Sequence, residues 1–198
     1  MDPLILASGS EIRSSLLRQA RVPVEIVPAA VDEASIKLSL ISENVSARDI
    51  ADALAEAKAR KVASKYPGRL VLGADQVLEF EGELLSKPSS PDDAIQQLTS
   101  MRGKKHDLFS AAVIYDDVKP VWRHVGKVSL FMRDATDAWL ADYVDRNWSS
   151  IQSAVGGYKL EEEGSRLFTR IHGDYFNVLG MPLLEILSYL TLRGFLPR

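Results

Sequence analysis

Pro3-Leu4-Ile5-Leu6-Ala7-Ser8-Gly9-Ser10-Glu11-Ile12-Arg13-Ser14-Ser15-Leu16-Leu17 passes from an unbroken apolar run, through small residues, into a stretch of mixed polarity. It reads as a buried strand, a tight turn and a helix. At such a junction the first backbone N–H groups of the helix point outward, the positive end of the helix dipole lies behind them, and here two hydroxyls and a guanidinium stand alongside. Phosphate is the anion that fits. Ser10, followed three residues later by a polar side chain, also reads as an ordinary helix N-cap.

Working outward, the whole chain is 198 residues with 46% hydrophobic content, enough for one sizeable domain or two tightly joined lobes. The 24 basic and 27 acidic residues give a net charge of −3, which argues against general binding to nucleic acid or to an anionic membrane. Any phosphate site is therefore local. The absence of cysteine removes disulfides, thiolate nucleophiles and Cys-containing zinc sites. No window approaches the ~20 apolar residues of a membrane span, and the N-terminal run is too short for a signal sequence, so the expected location is the cytoplasm.

Beyond the opening unit, Val22 to Pro28 reads as a short strand that runs into Val31-Asp32-Glu33, and residues 34–45 read as a mobile loop. Ser46 caps a long amphipathic helix that carries Lys58 and ends near Pro67-Gly68. Arg69 to Phe80 is apolar on both faces up to Ala74, as a central strand should be, and places Asp75 near its C-terminal end. Glu81-Gly82 makes a hairpin turn toward Leu84-Leu85, and Ser90-Pro91 opens a helix that stops before Gly103. Two β-runs, His106 to Asp116 and Val121 to Arg133, flank the turn at 117–120. Thr136 caps a helix through Asp145, a Gly-punctuated loop covers 154–164, a strand lies around 167–171, and a final helix spans about 182–192.

In open α/β sheets ligands gather outside the carboxyl ends of strands. If the ends of this chain converge, Arg13, Lys58 and Lys87 form a cationic clamp for a polyphosphate, and Glu33 with Asp75 offers carboxylate oxygens to a divalent metal. Taken singly, Lys58 also reads as part of a solvated helix face, Lys87 as a hairpin end and Asp32-Glu33 as a surface turn. Asp75 stands apart, because an acid directly after Leu70-Val71-Leu72-Gly73-Ala74 bears a desolvation cost that calls for a cation, a metal or a hydrogen-bonding role. His106, His124 and His172 lack a metal-ligand spacing, and there is no Gly-x-Ser-x-Gly elbow, Walker loop or Gly-x-Gly-x-x-Gly fingerprint.

Eight segments in order carry a resemblance over essentially the whole chain: Leu6-Ala7-Ser8-Gly9-Ser10-Glu11-Ile12-Arg13, Val31-Asp32-Glu33, Ala57-Lys58-Ala59, Gly73-Ala74-Asp75-Gln76-Val77, Lys87-Pro88, Gly103-Lys104-Lys105-His106, Gly156-Gly157-Tyr158-Lys159 and Asn177-Val178-Leu179-Gly180-Met181-Pro182-Leu183. The chain resembles the Maf family of nucleoside triphosphate pyrophosphatases. The resemblance implies one Maf-like domain over 1–198 with an inosine-triphosphatase-like α/β fold: an elongated mixed sheet flanked by helices, two lobes and a central cleft. It implies Mg²⁺- or Mn²⁺-dependent attack of water on the α-phosphate, releasing a nucleoside monophosphate and pyrophosphate. It makes Asp75 the catalytic acid-base residue and a metal ligand with Glu33. Ser8, Ser10, Arg13, Lys58 and Lys87 become triphosphate contacts, and a homodimer is the family-level expectation.

Departures from the common pattern bear on the substrate. Ile12 stands where many members have arginine, Gln76 where pyrimidine-acting members have threonine, and Glu161 where those members have glutamine. Ile12, Gln76 and Glu161 are the specificity positions, and the Gln76 form resembles the subgroup acting on 7-methyl-GTP. Ser110-Ala111-Ala112 is a further difference from the family pattern. The alternatives are a dTTP/UTP pyrophosphatase of the same family and a non-catalytic nucleotide-binding regulator of septum formation.

Overall fold

The structure, a computed structural model, describes residues 2–197. The opening stretch forms β1 (Leu4–Leu6), buried throughout, and after the Ser8-Gly9-Ser10 turn α1 (Glu11–Gln19). β2 (Val24–Ile26) pairs parallel with β1 on one side, and β3 (Leu70–Phe80) pairs parallel with it on the other. β4 (Glu83–Leu85) folds back antiparallel onto β3 through Glu81-Gly82. β5 (Lys105–Asp116), β6 (Lys119–Met132) and β7 (Phe168–His172) complete a seven-stranded sheet ordered β2-β1-β3-β5-β6-β7, with β4 also on β3. Parallel pairs at β1 and antiparallel pairs at β3–β4 and β6–β7 make the sheet mixed. Helices flank it, as an α/β chain requires.

The helices begin where capping residues place them. Asp32, Ser46, Ser90 and Thr136 each accept a backbone N–H at the starts of α2 (Glu33–Ser42), α3 (Ala47–Ala63), α4 (Pro91–Met101) and α5 (Asp137–Ile151). α6 (Tyr175–Val178) and α7 (Leu183–Leu192) close the fold. One expectation fails here: the loop read at 34–45 is largely the helix α2. Its sequence EASIKLSLIS buries no residue, so no apolar stripe announces it, and its visible signal is the Asp32 carboxylate holding both the N–H and the hydroxyl of Ser35. α5 also runs past Asp145 to Ile151, and α6 has no counterpart in the sequence reading.

The chain divides into two compact units, the first made of the residues through Gln76, Phe109–Gly126 and those from Tyr175 onward, the second of Val77–Leu108 and Lys127–Asp174. In the first, Leu4, Leu6, Leu72, Ala112 and Ile114 of the sheet pack with Leu16 and Leu17 of α1 and Ile186 and Leu190 of α7. In the second, α4 packs on α5, and a buried cluster joins His106 of β5 to Tyr158 and Phe168.

His106 is 1% exposed, its Nε2 lies 2.7 Å from Tyr158 Oη, and its Nδ1 has no hydrogen-bond partner among the described residues. Desolvation lowers its pKa from 6.5 to about 4, against a weaker upward pull from Asp107. The unfolded chain then binds more protons than the folded one between those values, so stability is full above about pH 6.5 and falls as the pH drops toward 4. Between pH 8 and pH 4.5 this group removes about 2 kcal/mol. Urea denaturation at the two pH values should show that extra loss in the wild type and not in His106→Leu; an equal loss in both would refute it.

Candidate active site

The site starts from a glycine. A Cβ on Gly73 of β3 would stand 2.1 Å from Ala55 O and 2.6 Å from Ala59 N, so only the bare backbone lets α3 lie directly on the strand. That contact brings Lys58, next to Ala59, over the neighbouring residue on the same face, Asp75. Lys58 Nζ reaches Asp75 Oδ1 at 2.5 Å and Glu33 Oε1 at 2.9 Å. Lys58 and Asp75 have side chains only 9% and 8% exposed, whereas the Glu33 side chain is 49% exposed. Glu33 is the first residue of α2, so the Asp32 cap that starts the helix also fixes where this second carboxylate stands.

β1 pairs with β3 only as far as Leu6 opposite Leu72, and β3 continues past it. The Ser8-Gly9-Ser10 turn occupies that step. Asp75 accordingly sits in mid-strand, beyond the carboxyl end of β1, and not near the end of β3 as its sequence reading had it. Arg13 of α1 closes the corner: Nε donates to Gly180 O at 2.8 Å, and Nη1 donates to Ala74 O at 3.0 Å and to Ser8 Oγ at 3.2 Å. Burial pushes the guanidinium pKa down while the charges of Asp75 and Glu33 pull it up. Ser8, 6% exposed, also accepts the Ser10 N–H at 3.3 Å. Ser10 occupies the N-cap position of α1, yet its side chain makes no capping bond.

The expected clamp is thus partly committed. Two of the three donors on Lys58 hold carboxylates, and Arg13 is tied to three acceptors. Gln76 spends its Nε2 on Ser110 Oγ, Asn177 O and Val178 O. Ile12 is half-buried against the apolar core. Lys87 and Glu161 lie in the second unit, both exposed. Glu162 is taken by Ser150 and Lys159, and Glu163 by Arg146, Asn147 and Arg166, which hold its carboxyl down at about 2. Glu161 makes no hydrogen bond or ion pair among the described residues. The sequence reading gave no role to Gly180, Asn177 or Ser110, although the first two lie in a motif that it singled out.

The model of the family described as Maf-like protein matches residues 3–192. The chain belongs to the Maf family. Among its relatives is a protein of Ruegeria sp. (strain TM1040) named nucleoside triphosphate pyrophosphatase, 63% identical over 191 residues, which are 96% of each chain. A protein of Mesorhizobium japonicum named 7-methyl-GTP pyrophosphatase is 41% identical over 193 residues, 98% of this chain and 97% of the relative. A solved structure of a HAM1 protein from Coxiella burnetii superposes on 68% of this chain and 75% of its own, with 15% identity and a TM-score of 0.42, too slight a likeness to bear on fold or function. Among the described residues, no helix of this Maf protein is long and apolar enough to cross a membrane.

Proposed function

We propose that this Maf protein hydrolyses nucleoside triphosphates between the α- and β-phosphates, giving a nucleoside monophosphate and pyrophosphate. The observation that carries the reading is the buried Lys58–Asp75 pair, joined by Glu33, on the strand whose adjacent carbonyl at Ala74 holds Arg13. A carboxylate this desolvated beside fixed cations suits abstraction of a proton from water next to a polyanion. The water oxygen bonds to the α-phosphorus, the bond to the bridging oxygen breaks, pyrophosphate departs, and the proton goes to Asp75. Lys58 holds Oδ1 of Asp75 and leaves Oδ2 for that proton. The third N–H of Lys58, the Ser8 and Ser10 hydroxyls and the Arg13 edge are the proposed phosphate contacts.

No group of three or more metal-ligating side chains occurs among the described residues, so the protein alone does not build a metal cage. Two carboxylates meeting at one ammonium do fit a hard divalent ion that draws its remaining ligands from phosphate and water. Asp75 and Glu33 would hold it. When bound, Mg²⁺ or Mn²⁺ supplies positive charge to the phosphate oxygens and acidifies a water.

The substrate reading is 7-methyl-GTP. Guanine offers adjacent N1–H and N2 amino donors that one carboxylate accepts together, and methylation at N7 makes those donors more acidic, whereas uracil sets one donor between two acceptors. Glu161, the member of the acidic triplet with no hydrogen bond or ion pair among the described residues, is the proposed acceptor. The relative named 7-methyl-GTP pyrophosphatase supports the same reading. In pyrophosphate-release assays kcat/KM should rank 7-methyl-GTP above GTP and GTP above UTP. Glu161→Gln should lose roughly tenfold or more on 7-methyl-GTP and little on UTP. A wild type that prefers UTP or dTTP would favour the pyrimidine reading instead.

A further inference from the structure

Asp75 and Gln76 are consecutive on β3, and consecutive strand residues point to opposite faces of the sheet. Asp75 meets α3 through Lys58. Gln76 therefore meets the other face, where its Nε2 lies 3.0 Å from Ser110 Oγ, 2.9 Å from Asn177 O and 3.0 Å from Val178 O. A carboxamide nitrogen carries two hydrogens, so three acceptors already exceed its supply. No donor remains on it for a nucleobase.

What those bonds hold is the α6 turn. Asn177 O also accepts the Ser110 hydroxyl at 2.6 Å and the Gly180 N–H at 3.1 Å. Gly180, at φ +94° in the left-handed region, turns its own carbonyl onto Arg13 Nε at 2.8 Å, and a Cβ there would press within 3.2 Å of Arg13 Nη2. The two residues flanking Asp75 thus converge on one guanidinium: Ala74 holds Nη1 directly, and Gln76 holds the segment that holds Nε. Among the described residues, Nη2 is left as the edge without a hydrogen bond.

We propose that Gln76 is a positioning residue that acts on the phosphate chain, through the Asn177–Gly180 turn and Arg13, and does not read the base. The inference rests on the pyrophosphatase reading, and it makes a demand that a base-reading residue does not. Loss of the Gln76 amide must weaken every ligand that Arg13 grips by the same factor, including one that has no base.

The test uses inorganic tripolyphosphate, titrated calorimetrically and as a competitive inhibitor, beside 7-methyl-GTP, GTP and UTP as substrates. Gln76→Met keeps the length of the side chain and removes its donors. It should raise the tripolyphosphate Kd and all three KM values by a common factor, roughly tenfold, with a smaller change in kcat. Ser110→Ala, which trims the bridging hydroxyl alone, should give the same pattern in weaker form and keeps the test open should Gln76→Met fail to fold. In an Arg13→Ala background the Gln76→Met change should add less than about twofold, because the residue through which it acts is gone. A shift confined to one nucleotide with tripolyphosphate unmoved, or the full factor persisting without Arg13, overturns the proposal. A wild type that neither binds tripolyphosphate nor cleaves any nucleotide overturns the pyrophosphatase reading and this relay with it, and the unsubstituted protein alone reveals that outcome.

Discussion

Asp75→Asn should lower kcat at least ~100-fold while the protein stays folded. Asparagine keeps the shape of the side chain and can still offer Oδ1 to Lys58 Nζ, now 2.5 Å from that atom in the wild type, so the local packing has no reason to move. What disappears is the basicity of the second oxygen and half of the carboxylate pair available to a divalent ion. Substrate binding through Arg13 and Ser8, which are hydrogen-bonded to each other and feel Asp75 only through its charge, should change far less than turnover. Single-turnover pyrophosphate release with Mg²⁺ or Mn²⁺, compared with circular dichroism of the same samples, separates the two effects. Activity within a few-fold of wild type would remove Asp75 from the role of base. Removing a desolvated charge carries no obligatory stability cost, so an unfolded Asp75→Asn protein would point to a structural function for the pair.

Much of this site is written locally. Asp75 is legible because an acid interrupts a strand that buries Val71, Leu72, Ala74, Val77 and Leu78, and Arg13 and Ser8 because they share one short turn with a helix start. The caps at Ser46, Ser90 and Thr136 are legible for the same reason, since each bond spans three residues. Helix α2 is not, because Leu38 and Ile41 stay 68% and 45% exposed and no buried face imposes a period. Partner choice is harder still. Lys58 and Asp75 are 17 residues apart and meet only because Gly73 admits α3, and Arg13 finds a backbone carbonyl 167 residues away. A carbonyl acceptor has no side-chain identity, so nothing at Ala74, Asn177 or Gly180 marks it in the sequence as a ligand of a guanidinium. The sequence offers Arg13, Lys58 and Lys87 as cations and is silent about how far the protein itself engages them, Lys58 through Asp75 and Arg13 through the Ala74 carbonyl.

That engagement makes the buried pair asymmetric, and stability should show it. In Lys58→Met the Asp75 carboxylate, 8% exposed, loses its cation, while Glu33, 49% exposed, can turn to water. A buried charge stranded in this way costs about 3 kcal/mol or more, well beyond what removal of the acid should cost, because Asp75→Asn leaves Lys58 with Glu33 still 2.9 Å away. The double variant Lys58→Met/Asp75→Asn strands no charge. It should recover most of the loss, with a coupling of about 2 kcal/mol in the double-mutant cycle. Urea denaturation of the four proteins at pH 7, without metal or nucleotide, measures every corner of the cycle. Additive losses would mean that the two groups do not stabilise one another, and the hydrogen bond at Oδ1 would then have no claim to hold Asp75 in place for the water. Strong coupling joined to an inactive double variant would instead show a fold that survives perfectly well without the pair, leaving catalysis as the reason to bury it.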